Sequence, residues 1–274
     1  MGNVDIENQK PACSADRIEI HPTAIIHPDA EIAEGVSIGP YSVIGKDVKI
    51  ARGTKVSSHV VIEGWTEIGE NNTIYQFASL GGPAQSVKYK GEKTYLKVGN
   101  NNLIREYVTL NRGTVQGFGE TTIGDNNFLM AYVHIAHDCR IGNDIIIANS
   151  VGLAGHIEIG DHSIIGGMTG VHQFVRIGAN TMVGAMSAIP LDIPPYVSAS
   201  GMRASLYGLN VIGLKRHGFS DELINNLKQA YKIIFKSKLL LTDAIKKVRG
   251  EVVMSKELEY FLNFLETSER GICR

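Results

Sequence analysis

The sequence predicts a parallel β-helix followed by a small α-helical domain, and three observations carry that reading. An aliphatic residue recurs at every sixth position, from Ile20 through Ile26, Ile32, Ile38, Ile44, Ile50, Val56, Ile62, Ile68 and Ile74 to Leu80. The same phase returns at Val98, Ile104 and Leu110, then runs from Ile123 by sixes through Ile135, Ile147, Leu153, Ile165 and Val171 to Ile189. After Pro194-Pro195 the hexads stop and helical spacing takes over. Neither a helix nor a flat strand repeats at six, so the period marks an internal repeat that sets the architecture.

Each hexad reads as a short strand and a turn with its aliphatic residue inward. The next residue is often small, as in Ile38-Gly39, Ile44-Gly45, Ile68-Gly69, Ile123-Gly124, Ile159-Gly160 and Val183-Gly184. Glycine is therefore expected where the chain bends. Three hexads would close one triangular coil and stack residues eighteen apart, so about nine coils at the inter-strand spacing make a prism roughly 40 Å long. Such a solenoid needs caps at its ends.

The segment from Met1 to Arg17 is polar, lacks an apolar signal core, and is read as a disordered extension. Residues 18–200 are read as the β-helix and 201–274 as the helical domain. In that second part Ser220 is placed to cap a helix bearing Leu223, Ile224, Leu227, Ala230, Tyr231 and Ile234. Ser255 is placed to cap a last one containing Leu258, Phe261, Leu262 and Leu265.

The chain's formal net charge is −1, which gives no reason to expect a nucleic-acid partner. Residues 201–274 hold 13 Lys and Arg against 8 Asp and Glu, so basic charge is concentrated there. Cys13, Cys139 and Cys273 are odd in number and widely spaced, which suggests neither a disulfide framework nor a thiolate zinc site and favours a reducing cytoplasm. No stretch is long and apolar enough to span a bilayer.

The repeat is interrupted at 81–97 (GGPAQSVKYKGEKTYLK) and 111–122 (NRGTVQGFGETT). Loops leaving a rigid solenoid are natural binding elements. Gln85, Lys88, Tyr89 and Lys93 in the first suit sugar hydroxyls or phosphates, although a loop kept soluble by its lysines has the same composition. His134, His137, His156, His162 and His172 crowd the following coils. Stacking by eighteens puts His156 one coil from Asp138, and sets Gly155 and then Gln173 above His137. An imidazole held by Asp138 could take a proton from an alcohol, while the Gly155 N–H stabilises the resulting oxyanion. Two other readings use the same residues: outward histidines as plain surface polarity, and His134, His137 and His156 as the three imidazoles of a zinc site.

Five motifs add a resemblance. HIAHDC at His134–Cys139, LAGH at Leu153–His156, IIGGMTGVHQF at Ile164–Phe174, DIPPY at Asp192–Tyr196 and GLNVIGLKR at Gly208–Arg216 occur in order. Together they resemble the UDP-N-acetylglucosamine O-acyltransferases, hexapeptide-repeat enzymes that begin lipid A synthesis. The resemblance runs from about Ile20 to the C-terminus. It implies a left-handed winding and a homotrimer with its sites between adjacent prisms. It also implies transfer of a (3R)-hydroxyacyl chain from acyl carrier protein to the 3-position of UDP-N-acetylglucosamine, with no cofactor and no resident metal. By the same implication His137 is the base, Asp138 its orienting acid and Gly155 the oxyanion donor. Gln85, Lys88, His134 and His156 serve the sugar or reacting groups, and His172, Gln173, Asn210 and Arg216 hold the nucleotide. Ala185 lies along the acyl groove and sets chain length. The basic excess of residues 201–274 makes Lys215, Arg216, Lys228, Lys232, Lys236 and Lys238 the candidates for recruiting the acidic carrier, with a plain solvated helix face as the alternative. Ser86 stands where the pattern has an acidic residue, which leaves a 3-amino acceptor open beside the 3-hydroxyl. Two rivals of other kinds are an acyltransferase that uses coenzyme A thioesters and a non-catalytic scaffold.

Overall fold

The computed structural model describes residues 17–274; the extension before Arg17, Cys13 included, lies outside the described residues. From Glu19 the chain winds through two- to four-residue strands that stack into three parallel sheets. These have ten, nine and eight parallel strands, with one antiparallel strand added to the first, and form the faces of a triangular prism, a left-handed parallel β-helix of the expected class. In uninterrupted coils the partner of a residue lies eighteen positions on, as in Ile44 beside Ile62 and Ile135 beside Leu153. The aliphatic phase fills the prism: Ile44, Ile62, Leu80, Leu110, Ile135, Leu153, Val171 and Ile189 are all fully buried.

Glycine is not what bends the chain. The residue with positive φ in nearly every turn is the third after the inward aliphatic, and it carries a side chain: Tyr41, Asp47, Asn71, Asn126, Asp138, His156, His162 and Met186 all lie between 55° and 62°. The glycine directly after the aliphatic is there because the next coil passes too close for a Cβ. One built on Gly39 would stand 2.8 Å from the backbone of Ser57 and Ser58, and one on Gly124 would stand 2.5 Å from the Gly142 carbonyl oxygen.

Both interruptions leave from the corner between the nine- and eight-stranded sheets, at Gly82 and Asn111, and rejoin at Tyr95 and Glu120. They are shorter than the sequence suggested, because Tyr95–Val98 and Glu120–Ile123 are already strand. The coils close over them without a break. Thr73 pairs with Leu103 and Thr109 with His134, and the buried Asn72, Asn102 and Asn127 bond in series across both insertions.

The hexads end at Ala188–Ile189, but the eleven-stranded sheet continues past Met182–Val183 through an antiparallel hairpin, Val197–Ser200 with Ser205–Leu209. Four helices follow: α1 (Val211–Arg216), α2 (Asp221–Lys236), α3 (Leu241–Glu251) and α4 (Lys256–Glu266). The Ser220 and Ser255 hydroxyls accept from the Leu223 and Leu258 N–H groups and start α2 and α4. Ile224, Leu227, Ile234, Ile245, Val248, Leu258, Phe261 and Leu265 form a second core, and Tyr196 joins it from the prism.

Gly39→Ala should lower stability by about 1–3 kcal/mol, because backbone cannot yield as a side-chain end can. Gly250→Ala, in α3 where an added Cβ meets nothing within 4 Å, should raise it by about 0.5–1 kcal/mol. Denaturant midpoints of the two variants check both signs.

Candidate active site

His137 and Asp138 occupy the turn after His134–Ile135, on the corner from which both loops leave. Asp138 is the positive-φ residue of that turn, and its carboxylate is fully buried. The second loop folds onto it. Oδ1 accepts from the Thr114 N–H at 3.0 Å and the Phe118 N–H at 2.8 Å, and Oδ2 accepts from the Thr114 hydroxyl at 2.7 Å. The remaining partner is His137, whose Nδ1 lies 2.8 Å from Oδ2. An ionised carboxylate only accepts, so Nδ1 carries the proton and Nε2 is left with a free lone pair. Burial alone would raise the Asp138 pKa; the hydrogen bonds from His137, Thr114 and Phe118 together outweigh it and hold the group below the ordinary carboxylate range.

Gly155 sits over the imidazole. A Cβ there would come 2.6 Å from His137 Cε1, so only glycine leaves the ring in place. The neighbouring amides of Ala154 and His156 bond to adjacent coils, to the Val171 and His137 carbonyls. The Gly155 N–H has no such partner among the described residues. His156 lies 3.8 Å from Asp138 Oδ2, perpendicular to the His137 ring and stacked on Phe174 at 4.4 Å.

Two grooves meet at His137. One, of about 1310 Å³, lies under the loops and is lined by Gln85, Ser86, Lys88, Phe118, His156 and Arg176 among others. The other, of about 750 Å³, runs over the nine-stranded face, where Gly152, Gly170 and Ala188 leave the surface bare of any side chain larger than a methyl beside His134 and His172. Gln85 and Gln173 border both. Tyr89 and Lys93 line neither groove; Tyr89 bonds the Glu92 carbonyl and Arg112, and Lys93 lies over Trp65 and Tyr95.

His134 and His156 are both held below the ordinary imidazole pKa, chiefly by burial. The three imidazoles of the zinc reading are not gathered among the described residues: His134 stands outside the group that comes together, and its Nδ1 is bonded to the Thr109 hydroxyl at 2.7 Å. His137, Asp138 and His156 do come within 4.8 Å of one another, but the four acceptor positions of the carboxylate are already taken. Cys139 is no nucleophile: burial pushes its thiol up to about 12.

Three predicted site residues lie elsewhere in the chain. Asn210 and Arg216 are on the opposite corner, where Asn210 caps α1 and bonds the Asn180 carbonyl. Ala185 is exposed on the third corner and lines neither groove. Sequence reading missed Thr114, Phe118, Phe174, Arg176 and Arg270. Phe174 is eighteen past His156 and was within reach of the stacking rule; the loop and C-terminal residues gave no signal.

Comparison with known proteins decides the family. A family model described as UDP N-acetylglucosamine O-acyltransferase, domain 2, matches residues 192–273, and the bacterial transferase hexapeptide model matches 120–155. The acyl-[acyl-carrier-protein]–UDP-N-acetylglucosamine O-acyltransferase of Thermodesulfovibrio yellowstonii is 58% identical over 93% of this chain and 99% of its own. The chain belongs to the UDP-N-acetylglucosamine O-acyltransferase family. Its relative of the same name from Trichlorobacter lovleyi is 57% identical over 94% of this chain and all of that protein. Among solved members, LpxA from Acinetobacter baumannii superposes with a TM-score of 0.91 at 52% identity, covering 93% of this chain and 99% of that one. The Arabidopsis UDP-N-acetylglucosamine acyltransferase gives 0.83 at 35% over 93% of this chain and 100% of its own. The family's fold therefore extends over the described residues.

Because folded His134 and His156 resist protonation, the unfolded chain binds protons that the folded one refuses below the ordinary imidazole pKa of about 6.5. Their contribution to stability is complete above that pH and is lost as pH falls below it. Melting temperature should drop between about pH 7 and about pH 5, and His134→Gln should flatten the slope. Melting curves of both proteins across that range check it.

Proposed function

We propose that this protein transfers a (3R)-hydroxyacyl chain from acyl carrier protein to the 3-position of UDP-N-acetylglucosamine, or of its 3-amino analogue, as the first step of lipid A biosynthesis. The names of its relatives supply the substrates. One geometric observation supports the chemistry: His137 is tied through Nδ1 to a buried carboxylate, and its free Nε2 lies beneath Gly155 where two grooves meet.

In this mechanism the acceptor oxygen or nitrogen attacks the thioester carbonyl as Nε2 takes its proton. The tetrahedral oxyanion is met by the Gly155 N–H, and Asp138 stabilises the imidazolium. Collapse breaks the carbon–sulfur bond, and the departing thiolate takes the proton back from His137. The loop groove, with Gln85, Lys88 and His156, suits the sugar; the bare face beside His134 suits an acyl chain. Ser86 in the loop groove offers a neutral hydroxyl where the family pattern has a carboxylate, which fits either acceptor.

The working form in this reading is a homotrimer. Asn210 and Arg216 serve the nucleotide from another corner of the prism, so an adjacent copy supplies them, with Gln173 from the first, while His172 on the bare face is left to the acyl donor. The third corner carries an exposed stack of Tyr41, His59, Phe77, Tyr107 and Tyr132, with centroids 4.8–5.2 Å apart, and beyond Ser150 the exposed Met168 and Met186. An apolar ridge of that length favours cover by a neighbour. Ala185 lies on the same ridge and would reach a neighbouring copy's acyl groove. The exposed Arg216, Lys228, Lys232, Lys236 and Lys238 suit an acidic carrier, as does Lys215, which pairs with Asp221. No helix among the described residues is long and apolar enough to cross a membrane, and the free, buried Cys139 and Cys273 fit a reducing cytoplasm.

Assay of the purified protein with both nucleotide sugars and with hydroxyacyl thioesters of carrier protein and coenzyme A tests the function; turnover with coenzyme A alone would reject it. His137→Ala should cut kcat about 100- to 10,000-fold while the protein stays folded. Near-normal kcat in that folded variant would remove His137 from the mechanism. Co-assembling His137→Ala with Arg216→Ala subunits should recover a measurable fraction of turnover, because mixed trimers rebuild some intact sites; no recovery would put both residues in one chain's site. Ala185→Met should move preference to shorter acyl chains, by roughly tenfold or more if two methylenes at about 0.8 kcal/mol each are displaced. Competition between carriers of increasing chain length reads it.

A further inference from the structure

The C-terminal segment returns to the catalytic corner and is fastened there. Ile272 bridges Asp192 in parallel, the Asp192 N–H donates to the Gly271 carbonyl, and the Cys273 N–H donates to the Asp192 carbonyl, both at 2.9 Å. The Ser268 hydroxyl donates to Asp192 Oδ2 at 2.8 Å. Asp192 is buried, and its other oxygen accepts the Arg176 N–H. These bonds place residue 270 whatever its side chain is.

The Arg270 side chain bonds in two directions. Its Nε donates to the Pro190 carbonyl at 2.9 Å, and a terminal guanidinium nitrogen lies 2.7 Å from His172 Nδ1. A guanidinium has no lone pair to offer, so Nδ1 must be the acceptor and the ring proton must sit on Nε2. The same Nδ1 lies 3.2 Å from the Gln173 carbonyl oxygen, a contact that would need the proton on Nδ1 instead. The shorter contact, with an obligate donor, decides between them. Arg270 and the carbonyl thus pull the ring towards opposite tautomers. His172 lines the face groove with His137 and Gly155, and Arg270 lines the loop groove.

We propose that Arg270 is a positioning residue: it locks His172 as the Nε2–H tautomer, so that the ring donates a hydrogen bond to an oxygen of the acyl donor in the groove. The step rests on the acyltransferase reading, but the tautomer can be measured without any substrate. In Arg270→Ala the Gln173 carbonyl becomes the remaining partner of Nδ1, the proton moves there, and Nε2 turns into an acceptor that repels an acyl oxygen.

Long-range nitrogen-15 spectra of histidine-labelled protein, with the His172 signal assigned by loss in His172→Gln, report the tautomer directly. The expected result is a protonated Nε2 in the native protein and a shift of the proton towards Nδ1 in Arg270→Ala, with Arg270→Lys restoring the native pattern. Turnover should show kcat/KM for the acyl donor falling about tenfold, the effect of one lost hydrogen bond, with KM for the nucleotide sugar unchanged. A merely structural tail would not move the tautomer. In a His172→Gln background, Arg270→Ala should have no further effect on kcat/KM. A protonated Nδ1 in the native protein, or an undiminished loss in that background, would overturn the proposal. A confirmed tautomer with no acyl transfer would instead strike the functional reading beneath it.

Discussion

Parallel backbone hydrogen bonds between successive coils hold this molecule together and also set the distances at which its chemistry can occur. Each coil sits one strand spacing from the next, so a residue in a turn meets the residues eighteen before and after it with little freedom to adjust. The glycines after the inward aliphatics exist to permit that approach, since the next coil leaves no room for a methyl group at Gly39 or Gly124. The site is a use of the same constraint. Gly155 lies on the His137 ring, and His156 stacks on Phe174, because consecutive coils place them there.

What turns one of many similar corners into a site is the pair of insertions. A solenoid tolerates them because the coil above can resume its register, and the bonded series Asn72, Asn102, Asn127 shows that it does so without a gap. The second insertion closes over Asp138 and fills the acceptor positions left by His137. A carboxylate so enclosed is expensive to bury and keeps its charge only while every partner is present. Its ionised state, the tautomer of His137 and the conformation of residues 112–119 are therefore one coupled arrangement.

The three corners have different characters. One carries the imidazoles and loops, one the aromatic and methionine ridge, and one the start of the helical domain with Asn210, Asn180 and His217. The helical domain has its own core, and its last residues run back to the first of these corners, so the end of the chain borders the grooves. No corner of a single prism gathers every residue that the family pattern assigns to substrate. The proposed trimer would reconcile that division by sharing each site between copies.

The hexad period by itself determined the prism, its buried column and the stacking of Asp138, Gly155, His156 and Gln173. The reason is that inward residues every sixth position and coils of eighteen fix which residues face inward and which stack on one another. The caps Ser220 and Ser255 were equally legible, because capping is decided within four residues. The role of the turn glycines was misread, since φ is a local property but closeness to the next coil is not. Only the tertiary structure decided that Thr114 and Phe118 enclose Asp138, that His134 turns to Thr109 rather than joining a metal set, and that Arg270 reaches His172 across 98 residues. Those contacts are made by loops and a tail with no period, and their partners are fixed by where the chain lands after folding.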